Sequence, residues 1–170
     1  YLMDNKIRTY HAAFLPSHFS SLYAFWSNMM IACLSVGLSI VYKVFSDSHF
    51  TLPKILPQSV YHGDLTLENI IYSFGRFCMI DGMTTEYDSF VFDIAKLRQD
   101  LHCKWFIRDT KSKLDVKLSH IEQNILSEFP IASDDNLLIA MLLRVFLHTK
   151  TGDKEYKFLL KEILLISSKP

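Results

Sequence analysis

The residues best suited to chemistry lie between positions 60 and 82. Val60-Tyr61-His62-Gly63-Asp64-Leu65-Thr66-Leu67-Glu68-Asn69-Ile70-Ile71-Tyr72 is followed by Met79-Ile80-Asp81-Gly82, so that Asn69 comes five residues after Asp64 and Asp81 twelve after Asn69. Ile70 to Phe74 and Arg76 to Ile80 are short apolar runs on either side of Gly75, the pattern of a half-buried hairpin. That hairpin carries Asn69 and Asp81 to the same place, and Gly82 permits a sharp exit. Two carboxylates and a carboxamide gathered there match Mg²⁺, a hard ion that takes a few such oxygens and completes its shell with phosphates and water. Phosphoryl transfer from a nucleotide needs this set, because the protein must orient a hydroxyl and hold the metal against the phosphates. The competing account makes the acids caps and turn formers in an Asp-Leu-Thr turn with no activity.

The order His62-x-Asp64-x4-Asn69 is that of a kinase catalytic loop, in which the Asp accepts the hydroxyl proton while the Asn and a later Asp bind metal. Taken with Ile80-Asp81 and with Phe92-Asp93-Ile94-Ala95-Lys96-Leu97, it resembles the aminoglycoside phosphotransferase and choline kinase superfamily of protein-kinase-like folds. The strings His-Gly-Asp-Leu-Thr-x-x-Asn-Ile and Asp-Ile-Ala-Lys-Leu are similar to phosphotransferase domains found with bacterial capsule and surface-sugar synthesis enzymes. The resemblance covers positions 60 to 97; elsewhere the match is helical pattern alone. It implies Asp64 as catalytic base, Asn69 and Asp81 as ligands of Mg²⁺-ATP, and His62 packed beneath the metal-binding turn. It also implies Asp93 at the start of a buried helix, accepting hydrogen bonds from the catalytic loop; Glu68 reads as a contact to the acceptor, which the family's loop faces, or as part of a solvated loop. Glu86, Tyr87 and Asp88 read either as acceptor contacts or as a solvated loop.

Departures from protein kinases narrow the acceptor. Thr66 stands where Ser/Thr protein kinases carry a Lys, Asp81 is followed by Gly82-Met83, and only twelve residues separate Asp81 from Asp93. A protein-kinase activation segment does not fit in that interval, which favours a small-molecule hydroxyl of the sugar, amino alcohol or aminoglycoside class over a protein.

Length and composition bound the rest. A chain of 170 residues suits a single domain with a substantial core. Hydrophobic residues make up 49%, which disfavours disorder. Lys plus Arg equals Asp plus Glu at 18 each, leaving no basic footprint for nucleic acid. Cys33, Cys78 and Cys103 are odd in number and widely spaced, as expected of reduced, buried thiols in a cytoplasmic protein. The seven histidines show no zinc-ligand spacing.

Taken in order, the chain opens on Tyr1 and has no glycine before Gly37. The sheet, phosphate-covering loop and Lys of a kinase N-terminal lobe find no place before His62. Residues 1–170 are therefore expected to be one domain, the C-terminal lobe of a longer phosphotransferase whose nucleotide-binding N-terminal lobe is absent from this chain. Asn5 to His18 read as an aromatic-rich lead-in, and a helix is expected from about Leu22 to Phe45. The stretch Leu22 to Tyr42 carries no charge and is long enough to span a bilayer. Ser27, Asn28, Ser35, Gly37 and Ser39 within it, and the lack of flanking basic clusters, favour a buried core helix instead. Pro53 and Pro57 then deliver an extended segment to the loop.

Downstream, Ile94, Leu97 and Leu101 give helical spacing from Asp93 to about Lys104, and Trp105 and Phe106 read as core anchors. Lys111, Lys113 and Lys117 with Asp109 and Asp115 read as a solvated face. Leu114, Leu118, Ile121, Ile125 and Phe129 form an amphipathic stripe that Pro130 ends. Ser133 is expected to cap the next helix, running to about Thr149 with Gly152 as terminator, and Asp153 the last, running to about Ile166. Arg144 and His148 share one face of the penultimate helix, and either approach an anionic acceptor or serve a surface or core role. The expected fold is mainly α, a kinase-like C-terminal lobe with a small β-hairpin bearing the metal-binding residues. The expected function is Mg²⁺- and ATP-dependent phosphorylation of a small-molecule hydroxyl. The alternatives are a non-catalytic pseudokinase-like binding module and a membrane-associated protein.

Overall fold

The computed structural model describes residues 50–53, 55–83, 89–110 and 114–168. The expected helix over 22–45, the lead-in over 5–18, Cys33, Glu86, Tyr87, Asp88, Lys111 and Lys113 lie outside the described residues. Within them the protein is mainly helical with one two-stranded antiparallel hairpin. Strands β1 (Ile70–Ser73) and β2 (Arg76–Met79) precede helices α1 (Phe90–Leu101), α2 (Asp115–Glu128), α3 (Asp135–Phe146) and α4 (Lys154–Ser167). No described helix is long and apolar enough to cross a membrane.

Helix α3, Asp-Asn-Leu-Leu-Ile-Ala-Met-Leu-Leu-Arg-Val-Phe, is apolar on almost every side after its first turn, and such a helix must sit at the centre of a core. Leu138, Ile139, Leu142, Leu143 and Phe146 of α3 pack with Leu159, Ile163 and Ile166 of α4. Leu137, Ala140 and Met141 pack with Val91, Phe92 and Ala95 of α1. A third cluster joins Leu97 and Leu101 of α1 to Leu118 of α2, with Leu67 and Ile70 from the loop and hairpin against it. Each fully buried aliphatic side chain of this kind contributes roughly 1.5–3 kcal/mol relative to exposure.

Local signals set the element ends. Ser89 accepts from Val91 N at the start of α1, and Asp134 Oδ1 accepts from Asn136 N at the start of α3. The cap of α3 is therefore Asp134 and not Ser133, which lies in a 3-10 turn and donates to Pro130 O. Pro130 stops α2 as expected, and α3 ends at Phe146, short of Thr149. Asp153 occupies the N-cap position of α4 but makes no side-chain capping bond. In the hairpin, Phe74 and Gly75 have φ of 49° and 72°, the two positive angles of a two-residue turn whose twist matches its strands. Phe74 thus belongs to the turn. Beyond Ile70 the strands are exposed and not half-buried as expected, and Cys78 is exposed with them while Cys103 is buried, because among the described residues only the base of the hairpin touches the third cluster.

Helix α2 packs differently from its apolar stripe. Leu118 is buried, but Leu114, Ile121 and Phe129 are exposed, and the next buried position is Glu122. The cause is Arg98 of α1. Its Nε lies 3.2 Å from Glu122 Oε1, its Nη1 donates to Ala132 O and Asp134 O at 3.0 and 3.1 Å, and its Nη2 lies 2.7 Å from Asp135 Oδ1. His102 Nδ1 adds a contact of 3.1 Å to Glu122 Oε2. A buried guanidinium satisfied on all sides ties α1, α2 and the start of α3 together. Trp105 packs against Phe158 with centroids 5.8 Å apart and lies under Arg108, whose guanidinium carbon is 4.0 Å from its ring centroid.

Residues 50–53 and 55–59 have no regular structure and pack across the helices ahead of the loop. Leu52 and Leu56 pack on the α1–α3 cluster, Thr51 O accepts from Asn136 Nδ2 at 2.8 Å, and Ser59 Oγ accepts from Phe90 N at 2.7 Å. Pro53 and Pro57 suit that path, having no N–H to leave unpaired.

Candidate functional site

The loop from His62 to Asn69 is built onto one face of α1. Asp93, Lys96 and Asp100 are spaced i, i+3 and i+7, which places them along one side of a helix. Asp93 Oδ2 accepts from His62 N at 2.5 Å, and Oδ1 accepts from Gly63 N at 2.8 Å. Lys96 Nζ lies 3.3 Å from Asp64 Oδ1. Asp100 Oδ2 accepts from Leu67 N at 2.7 Å. One helix face therefore grips the loop at its beginning, middle and end. From α3, Arg144 Nη1 donates to Gly63 O at 3.1 Å. Gly63 is buried at φ 86°, a conformation that a side chain would oppose.

The hairpin closes the other side. Asn69 Nδ2 donates to Asp64 O at 2.9 Å and lies 3.5 Å from Asp64 Oδ2. Ile80 N donates to Asn69 O at 3.0 Å, extending the strand pairing by one step and setting Asp81 at the open end beside Asn69. The His62 ring meets Ile80 O at 2.7 Å through Nε2, and Met83 N donates to His62 O at 2.7 Å. Since a carbonyl can only accept, Nε2 carries the proton and the buried Nδ1 is left without a partner. Two bonds from His62 thus bracket Asp81, which is exposed and has φ of 55°. Asp tolerates the left-handed region better than most residues, yet the conformation is sparsely populated and is held here by its neighbours.

Of the sequence-predicted residues, the structure brings His62, Asp64, Asn69 and Asp93 into one bonded set and places Asp81 at its edge. Glu68 is exposed in the 3-10 turn Leu67–Asn69 and makes no hydrogen bond or ion pair to that set. Arg144 and His148 separate: Arg144 is half-buried against the loop, while His148 is exposed. Lys96, Asp100 and Arg144 were not singled out as site residues by the sequence. The i, i+3, i+7 pattern of Asp93, Lys96 and Asp100 was visible in it, but charged residues at that spacing ordinarily mark a solvated face.

The charges are strongly shaped by burial. Burial depresses the Lys96 ammonium below its ordinary value, helped by the nearby Arg144 and opposed by Asp64. Burial pushes the Asp100 carboxyl up to about 6, against the pull of the Leu67 N–H and of Lys96. Its Oδ1 is buried, and the Phe106 N–H adds a further pull that lowers the carboxyl.

Among the described residues, no three His, Cys, Asp or Glu side chains gather as a metal centre. Mg²⁺ does not require one, since it binds through one or two protein oxygens and takes the remainder from phosphates and water. The carboxamide of Asn69 and the exposed carboxylate of Asp81, at one end of a hairpin, form a donor set of that kind. No protein-family model matches the chain, and no curated protein or solved structure matches it significantly.

Proposed function

We propose that this protein is an ATP-dependent phosphotransferase acting on the hydroxyl of a small molecule, with the kinase-like loop at His62–Asn69 as its catalytic centre and the cytoplasm as its place of action. The observation that carries this reading is the joint placement of Asp64 and Asn69 in a loop that α1 holds at three points, with Asp81 brought beside them by the hairpin. A pre-positioned carboxylate next to two metal-type oxygens is what in-line transfer to a hydroxyl demands.

Each residue then has a definite part. Asp64, partly exposed through its carboxylate, orients the acceptor hydroxyl and takes its proton, an effect worth roughly 10² to 10⁴ in rate. Asn69 and Asp81 would hold Mg²⁺, which when bound neutralises charge on the nucleotide phosphates. Asp93 fixes the two N–H groups that precede Asp64, and His62 fixes the turn that presents Asp81. Sugars, amino alcohols and aminoglycosides are the acceptor classes.

The test is Mg²⁺-dependent ATP consumption by the full-length protein against a panel of those acceptors. Asp64→Ala is expected to lower acceptor-stimulated turnover by roughly 10²- to 10⁴-fold while nucleotide binding persists. Asp81→Ala is expected to weaken Mg²⁺-dependent nucleotide binding. Unimpaired transfer by Asp64→Ala would overturn the assignment. The engagement of Asp64 by both Lys96 and Asn69 favours one other reading, a pseudokinase-like module that keeps the loop for structure; Mg²⁺-ATP turnover excludes it.

A further inference from the structure

Of the three polar residues by which α1 holds the loop, Lys96 is the one that meets a side chain. Asp93 and Asp100 accept backbone N–H groups and so fix where the loop runs. Lys96 fixes nothing in the backbone: its Nζ meets Asp64 Oδ1 at 3.3 Å, with side-chain exposures of 8% and 28%. Burying a lysine there is costly, and its partner Asp64 is exposed enough to be hydrated once the ammonium is removed, which spares it the penalty of a fully buried unpaired charge. The loop would therefore hold its course without this contact.

We propose that Lys96 is a positioning residue for Asp64: it clamps one carboxylate oxygen in the orientation from which Asp64 serves the acceptor hydroxyl. This inference rests on the phosphotransferase reading above. The two oxygens of Asp64 are held separately, Oδ1 by Lys96 and Oδ2 by the longer 3.5 Å approach of Asn69 Nδ2. The intervening residues Leu65 to Asn69 contain no cation that could substitute. Arg144, another cation at the loop, donates to the carbonyl of Gly63, where it fixes the backbone. Asp64 is thus held from α1 and its preceding peptide from α1 and α3, while its side chain keeps 28% of its exposure.

The experiment compares wild type, Lys96→Met, Lys96→Arg, Asp64→Asn and the Lys96→Met/Asp64→Asn double variant of the full-length protein, in transfer kinetics and thermal unfolding. Lys96→Met is expected to lower kcat on the order of 10²-fold, the cost of misplacing a reacting group by about 1 Å. KM for Mg²⁺-ATP and Tm should stay near wild type, and Lys96→Arg should recover part of the loss. In the Asp64→Asn background Lys96→Met should have no further effect on turnover, because its partner has already been changed. A Lys96→Met protein that unfolds early yet keeps full kcat per folded molecule, or equal losses from Lys96→Met in both backgrounds, overturns the proposal and leaves the phosphotransferase reading standing. Full turnover by Asp64→Asn, or none by wild type, overturns that reading itself and Lys96's role with it.

Discussion

Helices α1 and α3 are each twelve residues long, pack against each other and are buried over most of their length, yet they are buried with opposite chemistry. The buried positions of α3 are all apolar: Leu137, Leu138, Ile139, Ala140, Met141, Leu142, Leu143 and Phe146. Those of α1 include Asp93, Lys96, Arg98, Gln99 and Asp100. Apolar burial is non-directional and scales with area, so α3 stabilises the fold without dictating any one contact. Buried charges are costly unless matched to specific partners, so each one on α1 specifies a geometry. Helix α3 supplies stability, and α1 converts it into the position of a loop.

That division predicts variants whose stability and turnover respond differently. The largest stability effect belongs to α3: Leu142→Ala, at a fully buried site, should cost about 2–5 kcal/mol in denaturant unfolding while kcat per folded molecule is preserved. A parallel loss of kcat at full folding would show that α3 shapes the site directly.

Asp93→Ala should cost somewhat less stability, about 1–3 kcal/mol for the buried Gly63 N–H that loses its acceptor, but should abolish turnover because the peptides preceding Asp64 are released. Retained turnover in a folded Asp93→Ala protein would reverse the role given to α1.

Asp100 offers the smallest and most selective effect. Its folded carboxyl, raised to about 6 against an ordinary 3.8, binds its proton more tightly in the folded state. The stability it contributes is therefore fully present below the ordinary value and is lost as pH rises through about 6. Asp100→Asn keeps an oxygen for Leu67 N and removes the buried charge, so its Tm should match wild type in acid and exceed it at neutral pH. The difference should amount to about 1–3 kcal/mol at most, from the size of the shift. A Tm difference that does not change with pH would show that the carboxyl titrates normally.

The hairpin and most helix ends were legible in the sequence because they depend on neighbours a few residues away. Apolar runs around Gly75 specify two strands, Pro130 stops α2, and Asp153 and Gly152 mark the gap before α4. Errors at this level were also local. Phe74 was drawn into the turn because a two-residue connection needs two positive φ angles, and Asp134 took the cap expected of Ser133.

Residue types and spacing also marked Asp64, Asn69 and Asp81 as oxygen donors, while the family resemblance alone pointed to Asp93 as the support of the loop. Only the tertiary structure decided what surrounds them. Asp93 meets the loop across 30 residues, Asp100 across 33 and Arg144 across 81, and no periodicity encodes such pairings. The same holds for Glu122, whose place in the interior of α2 in preference to Ile121 follows from Arg98 on another helix. A sequence pattern reports the average cost of burying a residue type; whether a buried charge is tolerated depends on a partner that the fold alone brings within reach.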